Sequence, residues 1–192
     1  MKKVLCAVLA VLMLVSFAAC GKDANPKGLD VPASALVLGQ KLWSFTSDAA
    51  MDNATVKMQM NTVEALKTLA VKKPDGTQAT VTPAQGQVVV CITATVDKIL
   101  AKGCDIEHMG GKITADNMIY YLKRMVVPKK DGAVNVIFYA CVPERVNPEN
   151  CSTFKASVSL HPNSFEDDDD QGLNRELPLR NMDYTVPKPG EE

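Results

Sequence analysis

The sequence predicts a mainly β chain folded as an antiparallel sandwich with one or two short helices. Three observations predict it. Residues 87–96, QVVVCITATV, and 134–142, VNVIFYACV, are strand-length runs rich in β-branched and aromatic side chains. Residues 154–160, FKASVSL, alternate cleanly, with Phe154, Ala156, Val158 and Leu160 on one side and Lys155, Ser157 and Ser159 on the other. Turn signals, Lys-Pro-Asp-Gly at 73–76 and Lys-Lys-Asp-Gly at 129–132, separate the runs. The competing class is α+β, and it depends on residues 113–127.

The elements follow in chain order. Residues 34–45, SALVLGQKLWSF, are ambiguous: Leu38, Leu42 and Phe45 recur at helical spacing behind a capping Ser34, while Gly39 interrupts them. Trp43, the only Trp, is expected in the core. Val56, Met58 and Met60 alternate with polar neighbours as a half-buried strand, and 63–71 continues as strand or short helix. In 87–96, Val88, Val90, Ile92, Ala94 and Val96 share one face, and Val89, Cys91, Thr93 and Thr95 the other. Two such faces suit a central strand. Residues 103–112 read as a loop. In 113–127, Met118, Leu122 and Met125 fit a helix, whereas Ile119, Tyr120, Tyr121, Val126 and Val127 fit a strand. Residues 177–179 and 184–186 supply one last strand.

The N-terminus carries a different signal. Met1, Lys2 and Lys3 precede an uncharged apolar run from Val4 to Val15, and small residues lead to Cys20. The run is at the short end for a span, which needs about 20 apolar residues, and has the form of a secretory signal. Phe17-Ala18-Ala19-Cys20 resembles the lipobox of bacterial lipoproteins, with Phe where Leu is usual. The resemblance implies cleavage before Cys20 and diacylation of its thiol. Two acyl chains, at about 0.8 kcal/mol per buried CH₂, hold a protein firmly to a membrane where one does not. Gly21, rather than Asp, points to the outer membrane or cell surface rather than the inner membrane. The expected organisation is a signal peptide over 1–19, a lipidated Cys and polar tether over 20–33, one β-rich domain over 34–187, and a frayed tail over 188–192.

Loss of 1–19 leaves 173 of 192 residues, enough for one ordinary core. It also leaves 19 Lys and Arg against 22 Asp and Glu. No basic stripe is present, so nucleic-acid binding is disfavoured. The four cysteines left, Cys91, Cys104, Cys141 and Cys151, read as two disulfides in an exported chain. Hairpin placement of the last two favours Cys91–Cys104 with Cys141–Cys151; the rival joins Cys91 to Cys141. Residues 53–66 followed by 82–98 are similar to immunoglobulin-like domains of small bacterial lipoproteins, although Asp97 stands where Asn usually ends the long strand.

No nucleophile-elbow, nucleotide-binding or dinucleotide motif is present in the sequence. Cys104, Asp105, Glu107 and His108 crowd one loop, but His161 is the only other His, too few for a tetrahedral zinc or blue-copper set. The acidic run Glu166–Asp170 faintly suits calcium, yet Pro178 falls where an EF-hand needs Glu. The expectation is therefore a non-catalytic binding or structural module without catalytic residues, metal or cofactor. Its partners would be membrane lipid, through acylated Cys20, and an envelope protein. The rival is an exported enzyme or metal-binding protein using 104–108 or 166–170.

Overall fold

The computed structural model describes residues 28–161 and 180–188. Its organising element is β7 (Gln87–Ile99), thirteen residues long. It pairs antiparallel with β4 (Val56–Leu66) on one side and β10 (Val134–Pro143) on the other. Val88, Val90, Ile92, Ala94 and Val96 enter one core, while Val89 and Cys91 enter a second core on the opposite face. A strand buried on both faces must be apolar at nearly every position, and this one is.

The main sheet extends outward from β7. On one flank lie β4 and the edge strand β2 (Lys41–Thr46), with β3 (Ala50–Asp52) pairing farther along β4. On the other flank follow β10, β9 (Met118–Pro128), β8 (Met109–Ala115), β11 (Phe154–Leu160) and β12 (Arg180–Thr185). β9 belongs to both halves: residues 118–122 pair with β8 and 123–128 with β10. The sheet curls at this strand and folds over itself, enclosing the first core. Phe138 is fully buried there and packs on Gly111, where an added Cβ would meet its side chain at 2.7–2.8 Å. Trp43 packs edge-on against Phe154, centroids 5.4 Å apart, bridging the two halves. The far edges also meet, since Tyr184 Oη donates to the Thr46 carbonyl at 3.0 Å.

A third layer covers the second core. Helix α1 (Ala33–Leu36) leads into β1 (Val37–Leu38), which pairs with β5 (Leu69–Lys72) and through it β6 (Gln78–Val81). Leu36, Val37, Leu69 and Val71 pack there with Leu66, Val89, Cys91 and Ile137. The chain enters at Leu29, whose N–H donates to Pro128 O at 2.8 Å and which bridges to Lys129.

The mainly β antiparallel sandwich is therefore observed, and the α+β alternative is not. Residues 113–127 are strand on either side of a turn at Asp116 and Asn117, where Asp116 adopts φ 51°. Its Oδ1 accepts from the N–H groups of Ser152 and Thr153, which fixes that turn. The loop expected over 103–112 ends early, because 109–112 already pair with β11. The helical spacing in 34–45 yields only one turn. Gly39, at φ 144°, lies where a Cβ would meet Thr68 O at 2.1 Å, and Trp43 and Phe45 then alternate inward as strand.

The expected disulfides are corrected by the register, and all four cysteines are free. Cys91 lies in the second core whereas Cys104 packs on the first, across the sheet. Cys141 shares its face with Ile137 and Tyr139, on the second-core side, whereas Cys151 packs on the first core. The rival pair does share a face on adjacent strands. However, Cys91 opposes Tyr139 and Cys141 opposes Val89. That diagonal separates α-carbons by about 7–8 Å, whereas disulfides usually span about 4.4–6.8 Å. Cys20, the 1–19 segment, the acidic run 166–170 and residues 177–179 lie outside the described residues.

Candidate functional site

The 104–108 loop is built by local capping. Asp105 Oδ1 accepts from the Glu107 N–H at 2.7 Å, starting a single 3-10 turn over Ile106–His108. The Asp105 N–H donates to His108 Nδ1 at 2.9 Å. The same nitrogen lies 3.0 Å from Asp105 Oδ1. Arg124 Nη1 clamps the same turn by donating to the carbonyls of Glu107 and Met109. Asp105 and Glu107 are exposed. Cys104 Sγ donates to the His161 carbonyl at 3.2 Å, so its thiol proton is engaged with backbone. The loop does not assemble a metal shell; among the described residues no group of three metal-ligating side chains converges.

A cleft of about 320 Å³ opens beside this loop at one end of the sandwich. Val96, Ile99, Ile106 and Val134 give it an apolar floor, and Cys104 and Gly132 complete the wall. Asp97, Lys98 and Asp105 bring charge to it. The β4–β7 register skips Asp97: Lys57 opposes Lys98, and Met58 opposes Val96. Such a bulge breaks strict alternation and re-aims side chains at a sheet rim. The sequence marks Asp97 as the end of the long strand but does not place it or Lys98 at a cleft, because a bulge is a property of the paired strand.

Two further groupings were also not legible. Ser159 Oγ lies 2.9 Å from His161 Nε2. Burial, and secondarily the charge of Lys112, holds His161 below the usual imidazole range. Among the described residues its buried Nδ1 has no partner, and none of them orients the ring as a catalytic triad requires. The second grouping is Glu64, fully buried on β4. Its Oε1 accepts from Lys41 Nζ at 2.5 Å and Ser44 Oγ at 2.9 Å, while Oε2 has no partner among the described residues. Cys91 sits opposite Glu64. Burial above all, and then the Glu64 charge, pushes its thiol pKa far up. A smaller cleft of about 210 Å³ at the other end is lined by residues including Arg145, Tyr120 and Cys151.

The chain is, by its strand order, a curled antiparallel β-sandwich with a cleft at one end. No protein-family model and no curated protein matches it. Among solved structures it is similar to an uncharacterized β-sandwich protein from Clostridium difficile 630, known from a crystal structure at 1.90 Å resolution. The two are 15% identical over 67% of this chain and 88% of that one, with a TM-score of 0.46.

Proposed function

We propose that this chain is a lipid-anchored protein of the bacterial cell envelope whose β-sandwich binds a ligand or an envelope partner without transforming it. Anchoring rests on Phe17-Ala18-Ala19-Cys20 and on the charged start and apolar run before it. Display at the outer membrane or cell surface follows from Gly21 after the Cys. The observation that carries the non-catalytic reading is how the 104–108 groups are spent. Asp105 caps a turn, Glu107 is exposed, and the Cys104 thiol hydrogen-bonds a carbonyl. A nucleophile needs a base in reach instead. What the cleft offers is an apolar floor with charged groups at its mouth, the usual make-up of a small-molecule binding site.

Mass spectrometry of the chain purified from membranes tests the anchoring. The expected species begins at Cys20 and carries acyl chains. A species retaining Met1, or beginning at an unmodified Cys20, overturns it.

A further inference from the structure

We infer that the end cleft binds a small zwitterion, an α-amino acid with an apolar side chain. This inference rests on the binding-module reading and deepens it. Three features carry it. First, the cleft's volume of about 320 Å³ lies at the small end of the range for ligand pockets, about 300–1,000 Å³. Second, residues of both charge signs line one cleft, Asp97 and Asp105 with Lys98. A purely cationic or anionic ligand would leave one of these opposed by like charge. An ammonium beside a carboxylate satisfies both. Third, Val96, Ile99, Ile106 and Val134 also line the cleft, so an aliphatic side chain there would be partly removed from water.

The charged groups are available for this. Neither Asp97 nor Lys98 makes a side-chain hydrogen bond or ion pair with another described residue. The Asp105 carboxylate caps its own turn, yet its side chain stays exposed at the cleft's rim. At Gly132 nothing lies within 4 Å of where a Cβ would stand, so the wall is open to an incoming group. The bulge at Asp97 gives the sheet a reason to depart from regular pairing at this rim.

The test is calorimetric titration of the full detergent-solubilised chain with L-alanine, L-leucine and L-phenylalanine, and with N-acetyl-leucine and leucinamide. The expected result is saturable binding of at least one free amino acid. Blocking either pole of leucine, or making Asp97→Asn or Lys98→Met, should weaken binding tenfold or more. Asp183→Asn, on distant β12, should leave it unchanged. Circular dichroism of each variant confirms that it is folded. No saturable heat with any of the three amino acids overturns the inference. Equal affinity for leucine and N-acetyl-leucine, or no effect of Asp97→Asn in a folded variant, also overturns it. The broader reading fails separately: an amino acid recovered as a new product would refute the non-catalytic role while leaving the ligand class standing.

Discussion

Glu64 is the residue on which this structure takes the greatest electrostatic risk. A fully buried carboxylate is tolerated only with a partner, and here one oxygen has two and the other none. Both partners, Lys41 and Ser44, come from the edge strand β2. Removing the cation strands the charge. Lys41→Met should destabilise the domain by roughly 3 kcal/mol, the low end for breaking a buried pair, because Lys41 keeps one wet side. Lys41→Met combined with Glu64→Leu should recover most of that loss, since an apolar pair of similar volume is often as stable as a buried ion pair. Urea unfolding of the three proteins measures this. A double variant no better than the single one would show that the pair contributes more than mutual neutralisation.

At the scale of elements, β9 decides the architecture, because one continuous strand serves both halves of the fold. The packing beside its turn-over point is tight, with Gly111 on β8 lying flat on Phe138. Gly111→Ala should cost about 1–3 kcal/mol through overpacking, read as a lower thermal midpoint. An unchanged midpoint would mean that the Phe138 ring has room to shift. β7, β10 and β11 were legible in sequence because each keeps a single periodicity and is bounded by turn residues. β8 and β9 were not, because Met118, Leu122 and Met125 mimic helical spacing within a run of strand formers. What settles them is the Asp116 turn, held by Ser152 and Thr153 from far along the chain. The site divides in the same way. The 104–108 loop stands out as a local cluster, whereas Asp97 and Lys98 reach the cleft through a bulge that exists only once β4 has paired with β7. Cysteine pairing failed for a related reason: a spacing along the chain carries no information about which side of a sheet each thiol faces.

At the scale of the molecule, the three layers grade the thiols by access. Cys141 is exposed, Cys104 and Cys151 are half-buried, and Cys91 is fully buried between sheets. Burial, with Asp116 second, also raises the Cys151 pKa and slows its reaction. Alkylation followed by peptide mass analysis should label Cys141 first and Cys91 last. Labelling of Cys91 should wait for an opening that lifts the third layer off the second core or unfolds the domain. Cys91 labelled as fast as Cys141 would mean that the second core is not closed in solution.

The point of entry at Leu29 has a consequence for orientation. Leu29 is tied to Pro128 and Lys129, at the foot of the same β9–β10 hairpin whose Gly132 borders the cleft. On the proposed anchoring, only the eight residues after Cys20 lead to Gly28, a leash of at most about 29 Å at 3.6 Å per residue. That leash pulls from the cleft's own end of the sandwich. The cleft's end of the sandwich would then stay within that reach of the lipid surface, the region that small solutes moving along the membrane would sample first.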